Sequence, residues 1–256
     1  MAGTGGVAGS ERERPGERRA AARTTVVWNA LDAVLAGQPG ATVLDIGGGT
    51  GGFAVRVAEL GHHVRVVDPS PDALAALGRR AQEQGLAERV TAQQGDLSTL
   101  LDLVPAASVD VVLCHGVLEV SDDPAAALAT IATVLRPGGT LSLLVAQRHA
   151  AVVARAMAGH FGQALALLDG GPGDVPARGR GTGRRWTAAE IAVLLDTAGF
   201  AVTAQHAVRV FTDLVPGAVL DAEVGAADAL LELEQAVAEK PEYLPLATQI
   251  HVLATH

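Results

Sequence analysis

The segment Val43-Leu44-Asp45-Ile46-Gly47-Gly48-Gly49-Thr50-Gly51-Gly52-Phe53 constrains the fold more than any other part of the chain. Its apolar, β-branched start reads as a buried strand. The glycines that follow permit a tight turn and let main chain approach a ligand, because no Cβ stands in the way. Apolar residues then resume at helical spacing. A second apolar run, Val64-Arg65-Val66-Val67, ends in Asp68, about twenty residues beyond the turn. A carboxylate placed there accepts hydrogen bonds from both hydroxyls of a ribose. Strand, glycine turn, helix, strand and acid together predict a unit that binds an adenosine-containing cofactor.

The alternation continues. Strands are expected at Thr42–Ile46, His63–Val67, Arg89–Gln93, Ser108–Cys114 and Thr140–Ala146, separated by helices at Gly52–Leu60, Pro71–Gln84 and Pro124–Leu135. Ser108–Cys114 is Val-rich and largely apolar, as a strand covered on both faces should be. Repeated βαβ units imply a doubly wound, Rossmann-like α/β sheet with helices on both sides. Residues 1–22, rich in Gly, Arg and Glu, are expected to be flexible, and a domain to span 23–256. A first helix is expected from near Arg23, with Val26, Val27, Ala30, Leu31, Val34 and Leu35 at helical spacing. Residues 147–186 interrupt the alternation with a helical stretch at His149–Leu168 and a loop rich in Gly, Pro and Arg, expected to form a lid or substrate insertion. A helix at Thr187–Ala198, a strand at Ala201–Phe211, a helix from about Leu220 to Ala238 and a strand at Gln249–Ala254 complete the domain.

Composition narrows the function classes. The chain of 256 residues is 49% hydrophobic and only 3% aromatic, so its core is built from Ala, Val and Leu. A net charge of −9 argues against broad nucleic-acid or membrane binding, though not against one local basic patch. Cys114 is the single cysteine, which removes intrachain disulfides and cysteine-held metals. With no bilayer-length apolar stretch and no signal-peptide core, a cytoplasmic location is the default expectation.

Asp45 separates two kinds of cofactor. A carboxylate inside the glycine motif would repel a pyrophosphate but tolerates a ligand that carries an ammonium group and no phosphate, as S-adenosylmethionine does. Asp96, in Gly95-Asp96-Leu97 after the third strand, either accepts a hydrogen bond from an adenine amino group or caps its own turn. His115 follows the fourth strand, and ligands of open parallel sheets lie outside the carboxyl ends of the strands, so it should face the cofactor. Cys114 reads as a small buried hydrophobe rather than a nucleophile.

Together these residues resemble the class I S-adenosylmethionine-dependent methyltransferases. Val43–Gly51, Val64–Asp68, Gln94–Leu97, Val109–Glu119 and Leu135-Arg136-Pro137-Gly138-Gly139 match that family's successive motifs. The resemblance implies a seven-stranded sheet whose last strand, Gln249–Ala254, is antiparallel, and S-adenosylmethionine as cofactor. A narrower resemblance, to the bacterial tRNA 5-carboxymethoxyuridine methyltransferase family, extends outside the cofactor half. It rests on Trp28-Asn29-Ala30-Leu31-Asp32, Met157-Ala158-Gly159-His160-Phe161, Val208-Arg209-Val210-Phe211, Leu230-Leu231-Glu232-Leu233-Glu234 and Ile250-His251-Val252. It implies cofactor contacts at Arg23, Gly47, Gly48, Asp68, Gln94, Gly95 and His115, to which the motif reading adds Asp45, Gly49 and Asp96. Arg23 would pair with the cofactor carboxylate. The family's lysine-rich loop is here Pro176–Trp186, which carries Arg178, Arg180, Arg184 and Arg185; Lys240 is the chain's single lysine.

Two acceptor classes follow. One is the carboxylate of a modified wobble uridine in tRNA, already ionised at neutral pH and needing a cation to hold it; Arg209 is the first candidate and His149 the second. Arg209 in a plain salt bridge is the competing reading. The other acceptor is a small metabolite such as a sugar, a carboxylic acid or a natural-product intermediate, where a hydroxyl would need His115 or His149 as general base. The arginine-bearing loop favours tRNA; the acidic balance and scarce aromatics favour the metabolite.

Overall fold

The structure is a computed structural model. It describes residues 15–169, 183–222 and 225–256, with the side chains of 15–23, 169 and 221–222 outside the description. Seven strands form one sheet in the order β3-β2-β1-β4-β5-β7-β6. They are β1 (Thr42–Ile46), β2 (His63–Asp68), β3 (Val90–Gln94), β4 (Val109–His115), β5 (Leu135–Ala146), β6 (Ala201–Val208) and β7 (Gln249–Thr255). The pairings β1–β2, β1–β4, β2–β3 and β4–β5 are parallel. β7 runs antiparallel to both β5 and β6. The expected class I methyltransferase topology is thus the observed one.

The helices are α1 (Pro15–Ala36), α2 (Ala54–Glu59), α3 (Pro71–Glu83), α4 (Leu100–Leu103), α5 (Pro124–Val134), α6 (Arg148–Met157), α7 (Phe161–Asp169), α8 (Ala188–Thr197), α9 (Gly217–Ala222) and α10 (Ala226–Val237). Two apolar layers lie on opposite faces of the sheet. One packs Leu128, Ile131, Ile191 and Leu195 of α5 and α8 against Val112, Cys114, Leu141 and Val252. The other packs Trp28, Leu31 and Leu35 of α1 and Leu77 of α3 against Val43, Val64, Val66, Val111 and Leu113. β4 lies between β1 and β5, so its residues from Val111 to Cys114 are fully buried.

Several boundaries differ from the sequence expectation, each for a local reason. α1 begins at Pro15, eight residues before the expected start; proline suits a first helical turn, where its missing N–H would be unpaired anyway. Residues 1–14 lie outside the description. The stretch expected as one helix from His149 splits into α6 and α7 at Gly159, whose φ of 76° is a helix-ending left-handed conformation. α5 runs straight into β5, because Leu135 pairs with Val109 before a register shift brings Thr140 opposite Val111. Thr187 caps α8 as expected: its hydroxyl accepts from the Glu190 N–H and the Glu190 carboxylate accepts from the Thr187 N–H. Among the described residues no helix is long and apolar enough to cross a membrane.

Candidate functional site

The glycine turn sits at the carboxyl end of β1. Gly47, Gly49 and Gly51 have φ of 68°, 54° and 82°, a region that side-chain-bearing residues rarely adopt. Gly48 is held for a different reason: a Cβ there would lie 2.5 Å from Asp45 Oδ2. Asp68, at the end of β2, ties the turn down. Its Oδ2 accepts from the Gly49 N–H at 2.9 Å and its Oδ1 from the Ser70 N–H at 2.8 Å. Each oxygen keeps a lone pair, so the same carboxylate can still receive hydroxyl donors.

Asp45 is buried, with 4% exposure, and its carboxylate makes no hydrogen bond among the described residues. Burial, and then the charge of Asp68, push its carboxyl up to about 7. A buried acid poised to ionise beside a glycine cradle suits an incoming cation and opposes an incoming phosphate. The residues therefore fit a phosphate-free adenosine cofactor bearing an ammonium.

Gln94 and Asp96 occupy the far side. Gln94 is exposed and its Nε2 donates to the Pro69 carbonyl at 3.3 Å. Gly95 admits no side chain, since a Cβ would lie 2.5 Å from Leu103 Cδ1. Asp96 Oδ1 accepts from the Ser98 N–H (2.9 Å), the Ser98 hydroxyl (2.6 Å) and the Thr99 N–H (3.3 Å). These bonds hold its carboxyl below the usual range. Asp96 is therefore first a turn cap. It also borders a cleft of 580 Å³ whose walls include Pro69, Leu97, Val117 and Ser121, so its Oδ2 stays available on the cleft side.

His115 is half-buried at the end of β4. Its ring edge meets Phe53 at 4.7 Å, and Phe53 stacks on Trp28 at 4.7 Å. Nε2 contacts Ser142 Oγ at 2.9 Å, while the buried Nδ1 has no partner. Burial lowers His115 to about 4, so it is neutral at physiological pH. Ser142 Oγ also contacts His251 Nε2 at 2.8 Å, and His251 Nδ1 contacts His206 Nδ1 at 3.1 Å. A line of four polar side chains thus crosses β4, β5, β7 and β6. Since a hydroxyl has one proton to give, a proton accepted at one end shifts the tautomer of each member in turn. Ser142, His206 and His251 were missed in the sequence. The available signal was a polar residue at an inward position of an otherwise apolar strand.

The two catalytic candidates fare differently. Arg209, whose φ of 61° starts the turn after β6, donates from Nη2 to Asp213 at 2.5 Å and from Nη1 to Gln249 at 3.3 Å. Arg209 thus makes a salt bridge to Asp213, while its buried Nε has no partner among the described residues. His149 is exposed in the first turn of α6, where Gln147 caps the helix through the His149 N–H. Arg23 lies on α1, with its side chain outside the described residues. Cys114 is fully buried and its thiol is pushed up to about 12, as an inert core residue.

Glu119 was also missed. Its Oε1 accepts from the Ala146 N–H at 2.8 Å, and its Oε2 is buried without a partner. Burial raises its carboxyl, with Arg185 the favourable charge nearby. Among the described residues no cluster of His, Cys, Asp and Glu is arranged to hold a metal.

A sheet of this order with a glycine cradle, a ribose-type acid and a phosphate-averse Asp45 defines a class I S-adenosylmethionine-dependent methyltransferase. Residues 44–143 match the family described as a methyltransferase domain. The chain belongs to the class I S-adenosylmethionine-dependent methyltransferases, and within them to the family of the bacterial tRNA 5-carboxymethoxyuridine methyltransferase. It is 31% identical to that enzyme from Escherichia coli K12 over 237 residues, covering 91% of this chain and 87% of the relative. A ubiquinone biosynthesis O-methyltransferase of Xanthomonas campestris is 34% identical, but over 47% of this chain and 49% of its own length. The fold is shared with magnesium protoporphyrin IX methyltransferase from Synechocystis PCC 6803, solved with bound S-adenosylhomocysteine. The TM-score is 0.59 at 17% identity, covering 97% of this chain and 90% of that one.

Proposed function

We propose that this methyltransferase esterifies the carboxylate of a 5-carboxymethoxyuridine in tRNA. The observation that carries the reading is that similarity to the tRNA enzyme runs across 91% of the chain, whereas the cofactor-domain match ends at residue 143. Shared cofactor binding alone does not explain likeness in α6, β6, α10 and β7.

In this reading Gly47, Gly48 and Gly49 admit the cofactor's main body, Asp68 takes the ribose hydroxyls and Asp45 faces the ammonium. Gln94, Gly95 and Asp96 border the adenine, His115 lies beside the reacting end, and Arg23 pairs with the cofactor carboxylate. The bound cofactor supplies a methyl group made electrophilic by a sulfonium. A carboxylate acceptor is already a nucleophile, so these side chains have only to position it and exclude water. His149 keeps a role at the acceptor entrance; Arg209 acts by shaping the turn rather than by touching the acceptor.

The alternative is O-methylation of a small metabolite, and one observation favours it. A hydroxyl acceptor must lose a proton, and the unpartnered Nδ1 of neutral His115 opens a path through Ser142 and His251 to His206. The deciding experiment is transfer of tritiated methyl to tRNA carrying 5-carboxymethoxyuridine, beside the same tRNA with an unmodified uridine. The expected label appears only on the first and is released by mild alkali, as an ester is. Label that survives RNase digestion in small-molecule fractions, with none on the modified tRNA, would establish the metabolite reading instead.

A further inference from the structure

The carboxyl edge of the sheet carries a second cavity, separate from the cleft beside Asp96. It holds 230 Å³, several times the roughly 30 Å³ share of a liquid water. Its walls are α6, the turn after β6 and the segment entering β7, with Val153, Val210, Phe211, Leu214 and Leu246 as apolar lining. Two guanidinium groups, Arg155 and Arg185, face it from α6 and from the residue before Trp186.

The surrounding arginines divide sharply by occupancy. Arg148 pairs with Glu190 at 2.9 Å. Arg184 donates to the carbonyls of Ser121 and Asp122. Arg209 is bound to Asp213, which removes from competition the one acidic side chain among the described residues of the cavity wall. The guanidinium groups of Arg155 and Arg185 have no hydrogen-bond or ion-pair partner among the described residues.

Arg185 is not a loose surface residue. Its neighbour Trp186 is 2% exposed, donates its N–H to the Ala146 carbonyl at 3.0 Å and accepts from the Arg148 N–H at 3.0 Å. The Arg185 carbonyl in turn accepts from Arg148 Nη2 at 3.2 Å. The main chain at Arg185 is therefore fixed to the end of β5, next to the strand that delivers His115. Burial and the charge of Arg155 both disfavour the Arg185 cation, with only partial relief from Glu119. A half-buried guanidinium beside a second one, with no ion pair among the described residues and only partial relief from Glu119, is a site that an anion stabilises.

We propose that the cavity framed by Arg155 and Arg185 is an oxyanion pocket that holds a carboxylate or phosphate of the methyl acceptor, with Phe211 and its apolar neighbours against the group that carries it. The inference rests on the nucleotide reading above, and it names the acceptor-holding cations as a different pair from Arg209 and His149. The planar fork of each guanidinium suits either oxyanion, and both groups lie on the edge of the sheet where the cofactor turn also lies.

Binding is measured by ligand-detected NMR titration in saturating S-adenosylhomocysteine. Three probes separate the sources: 5-carboxymethoxyuridine carries a carboxylate only, uridine 5′-phosphate a phosphate only, and uridine neither. Wild-type protein is expected to bind one or both anionic probes at least tenfold better than uridine. Arg185→Gln and Arg155→Gln are each expected to weaken that probe on the order of 10- to 100-fold, with S-adenosylhomocysteine affinity unchanged within twofold. Arg185→Lys should recover part of the loss. Ala154→Glu, at an exposed helix position lining the cavity, should abolish the preference without removing any arginine. Equal affinity of all three probes for wild type, or unchanged anion affinity in the Arg155→Gln/Arg185→Gln protein, overturns the pocket. The tRNA reading fails separately: a modified tRNA left unmethylated by a protein whose anion binding still depends on both arginines sinks that reading and leaves the pocket standing. Methylation with an unchanged KM in the double variant does the reverse.

Discussion

Glu234 is the residue whose replacement tests the structural argument most directly. It is fully buried on α10, where the sequence gives no reason to expect a charge inside. Its Oε2 accepts from the Val210 N–H at 2.9 Å. Its Oε1 accepts from the N–H groups of Phe211 (2.9 Å) and Thr212 (2.7 Å) and from the Thr212 hydroxyl (2.7 Å). Three consecutive main-chain donors thus converge on one carboxylate, which shapes the turn that begins at Arg209 and walls the oxyanion cavity. Glu234→Gln keeps the size and one acceptor oxygen but turns an NH2 toward a main-chain donor. Charge assistance is lost from the bonds that remain, and one buried N–H is left unpaired at about 1–3 kcal/mol. Partial relief comes from no longer burying a charge. The expected net loss is roughly 2–4 kcal/mol, or a fall in Tm of about 5–15 °C for a domain of this size. Urea unfolding followed by far-UV circular dichroism measures it, and S-adenosylhomocysteine affinity should stay within twofold, because the glycine turn is held by Asp68 and not by this network. A loss under about 0.5 kcal/mol would refute the claim that this carboxylate organises the turn.

Three further outcomes are expected. Asp45 binds a proton in the folded protein that the unfolded chain releases above the ordinary carboxylate range, so its stabilising contribution is complete at low pH and is lost as pH rises through about 7. Asp45→Asn should therefore gain stability over wild type by on the order of 4 kcal/mol between pH 4 and pH 7.5, while S-adenosylmethionine binding weakens about tenfold or more; a pH-independent difference would contradict the burial argument. The histidines act in the opposite sense. His115, lowered to about 4, and His206 and His251, also lowered by burial, contribute stability that is whole above pH ~6.5 and drains as pH falls toward 4. In the Asp45→Asn background the urea midpoint should fall from pH 7 to pH 5, and His251→Gln should flatten that slope; an unchanged slope would count against the buried line of histidines. Finally, Gly51→Ala places a Cβ in collision with Leu77 Cδ1 at a φ of 82°, and about 2–3 kcal/mol of stability should be lost. Leu77→Ala in the same protein should recover the steric part only, a coupling that a double-mutant cycle in urea reads out.

The sequence by itself determined the strand order of operations: an apolar run into glycines, a second run into Asp68, and the recurring βαβ period that commits the chain to a parallel sheet. It also determined the cofactor class, because Asp45 and Asp68 act through local spacing that survives any detail of packing. The break at Gly159 was less visible, since helical spacing continues across it and only main-chain conformation ends a helix; the early start of α1 was hidden because the residues before Arg23 carry no apolar period. What tertiary structure alone decided was partnership. Arg209 and Arg185 are indistinguishable as letters; Asp213, four residues along the turn, pairs with the first, while the second, anchored through Trp186 at the end of β5, has no ion pair among the described residues. Ser142, His251 and His206 lie far apart in the chain and meet only because β5, β7 and β6 pair in one register. Local spacing fixes which backbone shapes are possible. Long-range register and burial fix which charges are satisfied, and the acceptor site is built from those that are not.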